Sequence, residues 1–172
     1  MRSIYLLLFS IASLQGFSQF EKSTSIHLTA NFNFALTGVA TNTGGAGAGC
    51  SASFFGKHRL QALVEANANY FFGDKFLIIE TSTGRKPKTA GAHSIKAGPQ
   101  YFLTKNMALS ITYGAAWYTI REFEYTMSDA FKYSVTGFFG PKKRFVTQLS
   151  FTSVSSPGNP IRFIALAAGH RF

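Results

Sequence analysis

The chain has 172 residues and a formal net charge of +10, and 46% of it is hydrophobic and 16% aromatic. Its single cysteine, Cys50, excludes an intramolecular disulfide. So many Phe and Tyr with so few charged residues exclude a soluble helical protein, and the length suits one domain.

Met1-Arg2-Ser3 carries one positive charge, an apolar run follows from Ile4 to about Leu14, and Gly16 and Ser18 stand at small-x-small spacing. That is the order of a cleaved export signal, so a signal peptide over 1–18 and a mature domain over 19–172 are expected. The run is too short for a spanning helix, which needs about 20 apolar residues. No cysteine follows it, so lipoprotein processing is not expected.

From Ser25 the chain alternates, with Ile26, Leu28, Ala30, Phe32, Phe34 and Leu36 on one face and His27, Thr29, Asn31 and Asn33 on the other. Period two over this length predicts a strand. A Gly-rich loop is expected over Val39–Gly45 and a second strand over about Ala46–Phe55, with Gly56-Lys57-His58 as the turn. The third strand, about Arg59–Phe71, separates Leu60, Ala62, Val64 and Ala66 from Gln61, Glu65, Asn67 and Asn69. A long connection is expected from about Phe72 to Gly91, with Phe76–Glu80 extending the hairpin.

The fourth strand, about Ala92–Leu103, sets Ile95, Ala97, Pro99 and Tyr101 against Ser94, Lys96 and Gln100. Pro99 removes a ladder bond and belongs near a strand end or bulge. After Thr104-Lys105-Asn106 comes a fifth strand, about Met107–Thr119, and then a charged connection over Ile120–Ala130. A sixth strand is predicted over about Phe131–Phe139, a turn at Gly140–Lys143 and a seventh strand over Arg144–Ser153. A loop at Ser155–Pro160 precedes the eighth strand, about Ile161–Phe172.

Long and short connections thus alternate between eight strands, which predicts an all-β, eight-stranded antiparallel up-and-down transmembrane barrel. Strands of 9–11 residues suffice to cross a bilayer at a steep tilt. The aromatics on the apolar faces fall near both strand ends: Phe54, Tyr101, Phe139, Phe145 and Phe172 by the short turns, and Tyr70, Trp117, Phe131 and Phe151 further up. Two girdles around an apolar belt suit a bilayer. A soluble ligand-binding barrel would turn its apolar face inward instead. A barrel of eight strands is filled by its own side chains, so a lumen plugged by polar residues is expected, with Glu65 and Lys96 as an ion pair across neighbouring strands.

The closing Ala168-Gly169-His170-Arg171-Phe172 resembles the Gly-Tyr-Arg-Phe ending of small OmpA/OmpX-type outer-membrane barrels, with His170 in place of the usual Tyr. Gly98-Pro99-Gln100-Tyr101-Phe102, followed by Tyr113-Gly114, is similar to the middle hairpin of that group, and the Ser-Gln signal ending is similar to Bacteroidetes-type exported proteins. The resemblance implies export to the outer membrane of a Gram-negative bacterium. It also implies a last strand, Ile164, Leu166, Ala168, His170 and Phe172, that docks on the barrel-insertion machinery. The periplasmic peptidoglycan-binding domain of larger relatives is not expected.

Short turns then fall on the periplasmic rim, where Lys57, Arg59, Lys105, Lys142, Lys143 and Arg144 place a basic collar without Asp or Glu. Outer-membrane lipids are the expected partners. An exported chain with its basic residues scattered through turns is not expected to bind nucleic acid. His93 and Ser94 fall on opposite faces of a strand, and no His, carboxylate and hydroxyl stand at the spacing of a triad. No enzyme activity, cofactor or metal is therefore expected. The leading function is a structural or surface-interaction barrel acting through long loops on an extracellular or envelope partner. An accessory role in envelope assembly or secretion, a lipid-modifying enzyme and a narrow channel are the alternatives.

Overall fold

The computed structural model describes residues 24–37, 44–54, 59–72, 89–120, 126–155 and 160–172. Eight strands run in chain order: β1 (Ser25–Thr37), β2 (Gly44–Phe54), β3 (Leu60–Phe72), β4 (Thr89–Thr104), β5 (Met107–Ile120), β6 (Thr126–Phe139), β7 (Phe145–Val154) and β8 (Ile161–Arg171). Each pairs antiparallel with the next, and β8 closes on β1, with Ala30 opposite Ala168 and Phe32 opposite Leu166. Closure leaves no sheet edge, the condition for backbone to cross hydrocarbon. The signal peptide expected over 1–18, the hairpin extension expected at Phe76–Glu80 and Lys57 lie outside the described residues.

Alternation decides which way each side chain points. Leu28, Ile95, Ile111, Tyr113, Leu149 and Leu166 stand outward and exposed, whereas Asn33, Glu65, Lys96, Thr112, Lys132 and Ser150 are buried inside. This is the reverse of a soluble barrel. A continuous apolar wall of this extent is far beyond the few hundred Å² that a soluble monomer exposes.

Several expectations are corrected. The strands are longer than the hydrophobic pattern suggests, so most of the long connections shrink. One rim keeps the connections 38–43, 73–88, 121–125 and 155–160, the other 55–59, 105–106 and 140–144. Only 73–88 is much longer than the rest.

Gly44 and Gly45, expected in a loop, open β2 opposite Phe72 and Phe71. Glycine is ordinarily a weak strand residue. A Cβ at position 45 would lie 2.2 Å from Tyr70 O, so the close approach of β2 and β3 uses its absence. The stretch 126–130 reads as charged loop, yet it extends β6, with Asp129 directed outward and Ala130 buried.

Pro99 sits within β4 rather than at its end. It pairs with Ala62 on β3, while the ladder to β5 is interrupted between Ala97 and Gln100, where the missing N–H would have bonded. The turn after β6 is a short 3₁₀ segment, Pro141–Lys143. Gly140 enters it at φ 75°, and Lys142 and Lys143 also take positive φ.

The lumen is not plugged by polar side chains alone. Toward the rim of the longest connection, Phe71, Phe163, Ile161, Val154 and small alanines form a buried apolar cap, with Phe71 and Phe163 edge-to-face at 5.1 Å. Toward the short-turn rim, Phe138 packs with Ala108, Val146 and Phe102. The polar layer lies between. Apolar packing at both ends strengthens the electrostatics of that layer, because the surrounding dielectric falls as water is excluded.

Candidate functional site

The middle of the lumen is organised around one carboxylate. Glu65 on β3 stands opposite Lys96 on β4, and β5 and β6 bring Thr112 and Lys132 to the same height, where they pair with each other across the sheet. Lys96 Nζ lies 3.7 Å from Glu65 Oε1. Lys132 Nζ comes closer, donating to Glu65 Oε2 at 2.7 Å, and Thr112 Oγ1 donates to Oε1 at 2.7 Å. The expected ion pair is therefore a triad in which Lys132 makes the shorter contact. Lys96 also donates to Ser94 Oγ, and Lys132 to Gln148 Oε1 at 3.0 Å. Gln148 Nε2 passes the network on to Ser134 and Thr136, each at 3.2 Å.

Lys132 had a signal in the sequence. It alternates with Phe131 and Tyr133, which must face outward, so the lysine between them must face in. Starting β6 at Phe131 hid the regularity that makes this plain.

Above the triad, three asparagines hold one another. Asn31 Nδ2 donates to Asn33 Oδ1 at 2.9 Å and to Asn69 Oδ1 at 2.6 Å, and Asn33 Nδ2 adds a bond to Asn69 Oδ1 at 3.1 Å. Below it, His27 is buried, with Ser25 Oγ 3.1 Å from Nε2, Ser51 Oγ 3.5 Å from Nδ1 and its ring edge-to-face on Phe138 at 5.5 Å. Arg171 lies over the same Phe138 ring, 5.3 Å from its centroid. Among the described residues, no group of three His, Cys, Asp or Glu side chains is arranged to hold a metal ion.

The outer surface carries the aromatic residues expected in the girdles. At the short-turn rim Phe54 faces Ala62, Tyr101 faces Leu60, and Phe139 faces Phe145. Toward the opposite rim Tyr70 faces Gly91 with its ring on His93 at 5.2 Å, Trp117 faces Met127, and Phe131 faces Ser153. Phe151 stands lower, opposite Tyr133 and Ile164.

On β8, Ile164, Leu166, Ala168 and His170 occupy the outward positions. Phe172 continues the pairing through its N–H to Ile26 O at 2.9 Å, and the His170 ring packs on it at 4.6 Å. Arg59, Lys105, Lys142, Lys143 and Arg144 lie at the short-turn rim. There Lys143 Nζ donates to Lys105 O and so ties two turns together.

No protein-family model matches the chain, and no curated protein matches it in sequence. Solved structures do match. Neisserial surface protein A aligns with a TM-score of 0.59 at 14% identity, over 86% of this chain and 95% of that one. The N-terminal β-barrel domain of Pseudomonas aeruginosa OprF aligns at 0.57 and 10% identity, over 86% and 97%. Ail of Yersinia pestis, solved with the heparin analogue sucrose octasulfate, aligns at 0.54 and 16% identity, over 87% and 97%. At these identities the likeness is one of fold. The fold is that of the small eight-stranded outer-membrane β-barrels, the OmpA/OmpX-like type.

Proposed function

We propose that the protein is a non-enzymatic integral barrel of a Gram-negative outer membrane that acts through its surface, not through its lumen. The observation that carries this is the inside-out distribution of side chains: an apolar wall outside, and a lumen closed by apolar caps around a buried polar layer. Glu65 is committed to two ammonium groups and a threonine, and His27 to two serines, so neither is set up as a free general base.

The rim with the connection 73–88 then faces outward from the cell, and that connection is where a partner would be met. Lys75, Arg85, Lys86 and Lys88 outnumber Asp74 and Glu80 within it. A polyanionic surface molecule is accordingly the partner class to try first, and the sulfated ligand held by the Ail structure makes a sulfated polysaccharide the natural probe. Cells displaying the protein should retain labelled heparin, and replacing 73–88 with a short Gly/Ser linker should abolish the retention while the barrel still inserts. Equal retention by both chains would remove the loop-mediated reading. Lipid A unchanged by mass spectrometry in cells with and without the protein is the matching expectation for the absence of enzyme activity.

A further inference from the structure

The buried middle layer holds two lysines against one carboxylate. Lys96 and Lys132 are 2% and 5% exposed and Glu65 is 3% exposed, so the excess positive charge has no access to bulk solvent. A water, an anion or the loss of a proton from one lysine has to offset it, because isolated buried charge is costly.

Both lysines line one small cavity, together with Asn31, Asn67, Gln148 and Ser150, and its volume is about 10 Å³. That is room for the centre of a single water-sized particle. An ammonium group has three N–H donors. Lys96 directs one at Ser94 and reaches Glu65 only at 3.7 Å, and Lys132 uses two on Glu65 and Gln148. Each therefore keeps donor capacity. The Asn67 Nδ2 donor is buried without a partner, as is the acceptor Asn31 Oδ1.

A second cavity of about 10 Å³ lies below, lined by Glu65, His27, Gln100 and again Asn67. Gln100 Oε1, an orphan acceptor, lines it beside the Glu65 carboxylate, and neither lysine does. That setting suits a water and repels an anion. The upper cavity has the opposite charge character, since both lysines line it and the carboxylate does not, with Asn31 Oδ1 an opposing acceptor there.

We infer that the upper cavity binds one halide-sized monovalent anion, chloride under physiological conditions, held between Lys96 and Lys132. The anion neutralises the charge that Glu65 leaves unbalanced and accepts the donors that the network leaves over. A chloride is appreciably larger than a water, so the flexible lysine stems must draw apart to admit it. A lone water would serve Asn31 Oδ1 but leave the layer positively charged. Folded barrel and chloride are thereby linked, whatever the loops bind.

The test uses the full mature chain, purified from outer membranes into detergent, with equilibrium unfolding in sodium chloride, sodium bromide and sodium gluconate at equal ionic strength. Gluconate is too large for the cavity. Above the dissociation constant, each tenfold rise in free halide should lower the unfolding constant tenfold, the signature of one anion bound to the folded state alone. Crystals of protein refolded and grown in bromide should show an anomalous peak between the two lysines. Lys96→Met removes the excess charge and should flatten the halide response. Should that variant not fold, the wild-type comparison and the bromide peak decide. Equal unfolding in chloride and gluconate, water density alone at the site, or a full halide response in Lys96→Met would each overturn the inference.

Discussion

Replacing Glu65 by glutamine keeps the shape of the side chain and removes the one negative charge in the triad. At an effective dielectric constant of about 20, Coulomb attraction amounts to about 6 kcal/mol for the 2.7 Å contact to Lys132 and about 4.5 kcal/mol for the 3.7 Å contact to Lys96. Desolvation of the three groups offsets much of that gain, so the net cost of losing the carboxylate should approach about 5 kcal/mol, the upper part of the range for a broken buried pair. Lys132→Met should cost less, about 3 kcal/mol, because Glu65 keeps Lys96 and Thr112. Lys96→Met should cost least, because it leaves the shorter pair intact and balanced. The triple variant Glu65→Gln, Lys96→Met, Lys132→Met buries no charge and should regain about 3 kcal/mol or more over Glu65→Gln. Urea unfolding in lipid vesicles, followed through the single tryptophan, Trp117, reads this directly. With a urea slope of about 2 kcal/mol/M, Glu65→Gln should lower the midpoint by roughly 2.5 M. A midpoint within the scatter of the wild type, or a triple variant no more stable than Glu65→Gln, would refute the triad as the organising charge of the lumen.

Deleting Phe172 should lower the amount of protein in the outer membrane and leave material in the periplasm, which immunoblots of fractionated cells would reveal; undiminished insertion would make the terminal residue incidental. Replacing Lys142, Lys143 and Arg144 with glutamine should slow insertion into vesicles containing anionic lipid, each charge contributing on the order of 1 kcal/mol at such a surface. That difference should shrink as salt rises, and equal rates at low salt would reduce the basic rim to a solubility device. Phe71→Ala and Phe163→Ala should each cost about 3–5 kcal/mol by opening a cavity in the upper cap. Together they should raise single-channel conductance in planar bilayers above the near-zero level expected of the wild type; a large wild-type conductance would contradict a sealed lumen.

The number of strands and the facing of their residues were legible in the sequence because the side-chain period of a strand is two and the barrel turns one face to lipid. Ile95 against Lys96, and Leu149 against Ser150, fix the register without reference to distant residues. Strand ends were less legible. Gly44 and Gly45 look like loop because glycine lacks a side chain to show a preference, and the close approach of Tyr70 explains Gly45. Asp129 looks like loop because a charge interrupts the apolar face near the rim, where a strand can carry one.

The lumen was legible in part. Glu65 and Lys96 are neighbours on adjacent strands, which alternation and short turns suffice to infer. Lys132 reaches Glu65 from three strands away, so its role depends on barrel closure and curvature. The apolar caps depend on closure as well. Phe71, Phe138 and Phe163 occupy inward positions that alternation marks, but that they meet one another or their neighbours as caps follows only once the barrel is closed.

The most direct test of the account is fractionation of cells making the full chain, with the membrane fraction run on gels before and after boiling. A closed barrel in the outer membrane predicts recovery in that fraction, faster migration without boiling and a shift to the unfolded position after it. Recovery as a soluble periplasmic protein, or migration indifferent to heat, would contradict it.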